Sequence, residues 1–442
     1  MRTLPLVSLV IVLANPVIAH ADTAFVDSLA VPGRLGIPRD RARALESELG
    51  QLFIVNVDGF GYAGTPLALE PEFVPMVKEL QVGGVIPHYG TTDYQRIRRT
   101  NRALSEFTHL PLLICCDIVR LTARTGKSTV GAAFGDGYVG GFIGKYGELP
   151  DSQFQTLAEL NAFVLAALGL NVALGPTVDD STQQSSTETR ARVVVQELRK
   201  FGILSVLKHF PFLPTGANLH RSSPDTRVPR ETAEKRFSIF RDLASLSPIV
   251  MTTHLNDSLV DNSIVTFSSA WLGILRLDTG YSGLLMSDGL LMLRNYADKR
   301  VLGGVPAKSP EAAELAALEP TAVWAIRAIL AGHDFLIVEG SAVQTKKAFD
   351  GVLGEACSGT PTGNTLARRI EESFRRIKQF KADNEVLLSR RIDVPPSAIG
   401  GVISLVPGDT AHLGSFRFDA DTMEAVAPEL ARAAGEAGEP VP

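Results

Sequence analysis

Residues 203–210 read ILSVLKHF. The run is mostly apolar and does not alternate with polar residues, which suits a strand buried on both faces. It closes on Lys208, His209 and an aromatic residue. The same construction recurs on either side. Upstream are Gln51–Asp58 (QLFIVNVD), Gly83–Tyr89 (GGVIPHY), Pro111–Asp117 (PLLICCD) and Leu170–Asp179 (LNVALGPTVD). Downstream are Pro248–His254 (PIVMTTH), Gly283–Gly289 (GLLMSDG) and Asp334–Glu339 (DFLIVE). Helix-like stretches lie between the runs, at Tyr94–Phe107, Gln153–Leu168, Arg190–Phe201, Pro229–Leu246 and Ala312–Leu330. Eight strand–helix units predict an α/β protein with a single (β/α)8 TIM-type barrel. An open doubly wound sheet is the alternative. It would usually have fewer strands, and the glycine-rich dinucleotide fingerprint is missing.

Composition agrees with one large globular unit. The chain has 442 residues, 45% of them hydrophobic and 21% charged, enough to bury a sizeable core. At about 150 residues per domain three domains would be expected, yet a barrel with insertions can absorb over 400 residues. Asn364–Asn384 reads as a charged closing helix and Gly126–Gly147 as a glycine-rich loop after the third strand. The barrel domain is placed at residues 22–385, with an appendage at 386–442 whose last residues, AGEAGEPVP, are expected to be disordered.

The first residues address the chain elsewhere. Arg2 precedes the apolar run LPLVSLVIVLANPVIA, and Ala19-His20-Ala21 is an A-x-A cleavage pattern. Residues 1–21 therefore read as a signal peptide, which predicts a secreted or periplasmic protein. No other stretch of 18 apolar residues occurs, so no stable membrane insertion is expected after cleavage. The net charge of −5, from 43 basic and 48 acidic residues, argues against a nucleic-acid partner. The three cysteines make no disulfide scaffold, and the adjacent Cys115 and Cys116 read as small core residues on opposite faces of a strand. Oligomeric state is not legible.

In barrel enzymes the chemistry sits at the C-terminal ends of the strands. Here those ends carry Asp58, His88, Asp117, Asp179, Lys208 with His209, His254 and Asp288. A pocket lined by carboxylates and other polar groups suits a ligand rich in hydroxyls, which points to a carbohydrate. No His-x-His or His-Glu-x-x-His spacing suggests a metal, and no cofactor is expected.

Several stretches resemble one family. ELGQLFIVNVDG (48–59), LQVGGVIPHYG (80–90), VLKHFPF (206–212), VMTTHL (250–255), LLMSDGL (284–290) and AILAGHDFLIV (328–338) are similar to motifs of glycoside hydrolase family 3, in its single-barrel β-N-acetylhexosaminidase branch. K-H-F-P and S-D, at the ends of the fifth and seventh runs, carry most of that likeness. The resemblance covers roughly residues 45–380 and implies a barrel acting as a retaining β-N-acetylhexosaminidase on amino sugars, including peptidoglycan fragments.

It also implies roles. Asp288 matches the nucleophile. Asp117 matches the carboxylate that holds sugar hydroxyls, and Lys208 with His209 the pair that binds the sugar. Arg190 or Arg192 matches a substrate-binding arginine. His220 falls at the acid/base position, and Asn218 stands where the family has an Asp partner. The chain reads KHFPFLPTGANLH where the family has K-H-F-P-G-H-G, and DIVRLTA where it has D-Q-E-G-G-R-V. Both departures touch the pocket. They leave open an alternative, a degenerate barrel that binds glycan or cell-wall material without efficient turnover.

Overall fold

A computed structural model of the chain describes residues 36–56, 73–87, 94–116, 151–179, 184–213, 230–256, 260–261, 263–295 and 318–389. Its strands are β1 (Phe53–Asn56), β2 (Gly84–Ile86), β3 (Leu113–Cys116), β4 (Val172–Ala173), β5 (Leu204–Phe210), β6 (Ile249–Thr252), β7 (Leu284–Met286) and β8 (Leu336–Val338). The helices are α1 (Arg39–Leu52), α2 (Phe73–Leu80), α3 (Tyr94–Ser105), α4 (Asp151–Ala167), α5 (Gln184–Lys200) and α6 (Arg230–Leu243). They continue with α7 (Ser269–Thr279), α8 (Pro320–Ala331), α9 (Ala342–Ala356), α10 (Pro361–Asp383) and α11 (Glu385–Ser389).

All eight strands are parallel, in the order β7-β6-β5-β4-β3-β2-β1-β8. A bridge between Met286 and Phe335 brings β7 to the start of β8 and closes the barrel. The expected (β/α)8 architecture is present, and each of the eight apolar runs contains its strand. The signal-peptide segment, the Gly126–Gly147 loop and the tail beyond Ser389 lie outside the described residues.

Local chemistry starts and stops the helices where the strands need them. The Ser268 hydroxyl accepts from the Trp271 N–H and caps α7, and Gly280, at φ 66°, ends it. Glu319 caps α8, with Pro320 as its first residue. Ser341 and Gln344 form a capping box on α9.

Side-chain packing tells the two faces of each strand apart. Phe53 meets Phe349 of α9 edge-on at 5.5 Å, so it faces the helices, and Ile54 and Asn56 face the barrel interior. Phe210 packs outward against Phe237 and Phe240 of α6 and Trp271 of α7, with centroids 5.3–6.2 Å away. Leu113 lies close to Gly84 and Ile54, which puts it inside, and Cys115 of the same strand follows it there. Cys115 and Cys116 are both buried and unbridged, as expected.

The N-terminal end of the barrel is a structural floor. Lys381 of α10 is buried, and its ammonium donates to Gln51 Oε1 at 2.8 Å and to the Gly83 carbonyl at 2.9 Å. Burial pushes that ammonium down to about 7. Asp334, at the start of β8, accepts from the Leu285 N–H at 3.0 Å and pairs with Arg276 (3.5 Å) and Arg376 (3.4 Å). These groups hold elements together at the end of the barrel away from the chemistry.

Candidate active site

Three strand ends converge at the C-terminal mouth. β5 delivers Lys208 and His209, and its register against β6 shifts between Leu207 and Phe210. The Lys208–His209 and Phe210–Pro211 peptides are cis. Lys208 is held on the β4 side by backbone bonds: its N–H donates to the Pro176 carbonyl at 3.1 Å, and its carbonyl accepts from Val178 at 2.8 Å. β7 is followed directly by Ser287 and Asp288, and the segment after β4 contributes Asp179.

His209 is the centre of the arrangement. Its Nδ1 lies 2.7 Å from Asp179 Oδ2, and its backbone N–H donates to Asp179 Oδ1 at 3.1 Å. One carboxylate thus fixes both the main chain and the ring. The other ring nitrogen, Nε2, faces Asp288 Oδ2 at 3.9 Å. The His209 side chain is 8% exposed and that of Asp288 17%, so the pair sits in a largely dry recess that still opens to a ligand.

Burial on its own would raise the Asp288 carboxyl. His209, His254 and Lys208 beside it, and the Gly289 N–H, outweigh that and hold it below the ordinary aspartate value. The N–H of Gly289 donates to Asp288 Oδ1 at 2.8 Å. Asp288 is therefore an ionised, oriented carboxylate at neutral pH, which is what a nucleophile requires.

His254, expected at the mouth as a strand-end group, is fully buried and supports the site from behind. Its Nε2 meets the Gly289 carbonyl at 2.9 Å, and a carbonyl only accepts, so that nitrogen carries a proton. Its Nδ1 lies 2.7 Å from the Thr266 hydroxyl. The loop that bears Asp288 is thereby tied to β6 and to the turn at Val265–Phe267.

The remaining expected residues divide. Lys208 and His209 come together with Asp288. Asp117, Asn218 and His220 lie outside the described residues, as do Asp58 and His88. Arg190 sits in α5, 7% exposed, with its guanidinium 3.1 Å from Asp151 Oδ1 and 4.3 Å from the Phe154 ring of α4. Arg192, its rival, donates to the Asp242 carbonyl at 3.0 Å. Phe212, which begins the departure from the family's loop, is tucked into the core at 2% exposure. In the sequence Asp179 reads only as one polar strand end among several. Its pairing with His209 spans 30 residues, and the local pattern carries no trace of it.

Comparisons with known proteins bear on this geometry. The model of the "Glycosyl hydrolase family 3 N terminal domain" matches residues 44–379. Among solved structures, the chain is similar to a fungal multi-domain GH3 β-N-acetylglucosaminidase, with a TM-score of 0.62 and 17% identity. That match covers 82% of this chain and 42% of the fungal one, so the chain spans less than half of that enzyme. It is similar to a glycoside hydrolase family 3 β-N-acetylglucosaminidase from Paenibacillus sp. str. FPU-7, with a TM-score of 0.59, 20% identity, and 82% and 68% of the two chains covered. It is also similar to a β-N-acetylhexosaminidase from Beutenbergia cavernae DSM 12333, with a TM-score of 0.57, 20% identity, and 76% and 98% covered. A search of curated proteins gives no match. At these identities the structural likeness speaks for the fold. With the family model spanning most of its length, the chain belongs to glycosyl hydrolase family 3, through that family's N-terminal barrel domain.

Proposed function

We propose that the chain is a retaining glycosidase that cleaves the O-glycosidic bonds of terminal amino sugars, in the manner of a β-N-acetylhexosaminidase. The observation that carries this reading is Asp288, held ionised at a strand end with His209 Nε2 3.9 Å from its carboxylate. A retaining mechanism needs such a carboxylate on one face of the anomeric carbon and a proton donor at the leaving oxygen. In this reading Asp288 attacks the anomeric carbon and forms a glycosyl-enzyme, which water then hydrolyses. Lys208, His209 and Asp117 hold the sugar's hydroxyls.

His220 is the proton donor and then the base for the incoming water, because an imidazole titrates near working pH. Asn218 orients it without supplying charge. Arg190, paired with the exposed carboxylate of Asp151, is the candidate for a further contact to the sugar. The signal-like N-terminus supports action outside the cytoplasm, where peptidoglycan fragments offer amino-sugar ends.

A second reading is favoured by two features together, the neutral Asn218 and the burial of Phe212 at 2% exposure. In it the barrel binds glycan with little turnover. One experiment separates the two. Purified mature protein is given a panel of aryl β-glycosides and then a 2-fluoro sugar matching the best substrate. Turnover that vanishes in Asp288→Asn, with the label mapped by mass to Asp288, supports the enzyme. Sugar binding without release or labelling supports the binder, and a label on another carboxylate removes Asp288 from its role.

A further inference from the structure

Glu339 directly follows β8 and is half-buried at the mouth. A Cβ placed on Gly289 would lie 2.4 Å from Glu339 Oε2, 2.7 Å from its Cδ and 3.0 Å from Oε1. The carboxylate is thus laid flat over the Gly289 α-carbon, one residue from Asp288. Only a glycine leaves that space, since any side chain at 289 would occupy the volume the carboxylate fills.

The strand register places the same residue next to β1. Val55 pairs with Val338, so the strand ends carrying Asn56 and Glu339 are neighbours. Asn56 points into the barrel at 1% exposure, and neither of its amide atoms has a hydrogen-bond partner among the described residues. Buried polar groups are rarely left in that state, so the β8–β1 side of the mouth has polar capacity that the described residues do not use. Capping of the helix that follows is already supplied by Ser341 and Gln344.

We propose that Glu339 is a substrate-binding residue of this site, whose carboxylate accepts a hydrogen bond from a ring hydroxyl of the sugar held at Asp288. The ligand class is a neutral pyranose that presents a free hydroxyl toward β8. A carboxylate is the strongest acceptor available for that purpose, and it repels a substrate bearing an anionic group on the same side. The inference rests on the glycosidase reading for the position of the sugar.

The test uses Glu339→Ala, Glu339→Gln and Gly289→Ala in the full chain. Each is assayed on an aryl β-N-acetylglucosaminide and on its monodeoxy analogues. A charge-assisted hydrogen bond corresponds to roughly a tenfold to hundredfold effect. Glu339→Ala should lower kcat/KM by that factor, mainly through KM. The one deoxy analogue that wild type handles poorly should then lose its disadvantage. Glu339→Gln should fall between. Gly289→Ala should reproduce the alanine pattern, because its methyl displaces the carboxylate while leaving it charged.

Unchanged kcat/KM in both Glu339 variants, or deoxy penalties that persist in Glu339→Ala, would overturn the assignment. If wild type turns over no aryl glycoside, the glycosidase reading fails on that result. The assignment is then decided by calorimetric binding of N-acetylglucosamine and its deoxy forms. Weaker binding in Glu339→Ala sustains it, and equal binding, or none by wild type, rejects it.

Discussion

His333 makes a measurable claim about how this fold responds to acid. It is fully buried between the end of α8 and the start of β8. Nδ1 faces the Ala328 carbonyl at 3.1 Å, which can only accept, so Nδ1 carries the proton. Nε2 then takes the Thr252 hydroxyl at 2.9 Å, and the neutral imidazole is fully satisfied. Burial pushes its pKa from 6.5 down to about 4; the Ala328 carbonyl pulls the other way, while the nearby His254, Arg369 and Arg276 add to the fall. A base with a lowered folded pKa leaves the unfolded chain binding more protons. Its stabilising contribution is complete above about 6.5 and is lost as the pH falls from there to about 4. At about 1.4 kcal/mol per pH unit, the contribution amounts to about 3 kcal/mol. His333→Gln keeps a donor for Ala328 and an acceptor for Thr252 but cannot titrate. Urea unfolding of both proteins at pH 7, 5.5 and 4.5 gives the difference directly, since the carboxylates titrate alike in each. Wild type should lose about 2 kcal/mol more than the variant between pH 7 and pH 4.5, where most of the shift is titrated. Parallel pH dependence in the two proteins would refute the buried neutral imidazole.

Asp179→Asn keeps one acceptor for the His209 backbone but turns an amide toward Nδ1. It should cost about 1–3 kcal/mol in urea unfolding and lower kcat/KM, whereas retention of both would mean that Asp179 does not orient the ring. His254→Gln keeps a donor for the Gly289 carbonyl and removes one of the groups that lower the Asp288 carboxyl. The carboxyl should rise and the acid limb of the kcat/KM profile should move to higher pH, and an unmoved limb would exclude the electrostatic role. Asn218→Asp supplies the charge that the family places beside its proton donor. A tenfold gain corresponds to about 1.4 kcal/mol of barrier, and the gain should be larger on a natural disaccharide than on an aryl glycoside. No gain on either substrate, together with full activity in His220→Ala, would remove His220 from catalysis.

The barrel was legible in the chain alone because its strands are buried on both faces. A parallel strand covered by helices outside and packed within must be apolar along its length, so ILSVLKHF and its seven counterparts announce themselves one by one. Their polar last residues were legible for a related reason. A charged group is tolerated where a strand leaves the core, so Lys208, His209 and Asp288 mark the mouth without any knowledge of which strands are adjacent. What those residues do to one another was decided by tertiary structure. Asp179 and His209 meet because β4 and β5 are paired in one register, and nothing within either run specifies its neighbour. His254 looked like a pocket residue by the same rule that selected Asp288, yet it turns into the core to hold the Gly289 carbonyl. Lys381 belonged to a helix that reads as charged, and the closure of the barrel floor buries its ammonium against Gln51 and Gly83, 330 and 298 residues away. Arg190 matched a substrate ligand by its place in the chain, while the packing of α4 on α5 gives its guanidinium Asp151 and Phe154. Sequence period records the solvent exposure of each element separately. Contacts between elements are set when the barrel closes, and only then do an ionised aspartate, its histidine and its supporting glycine stand together.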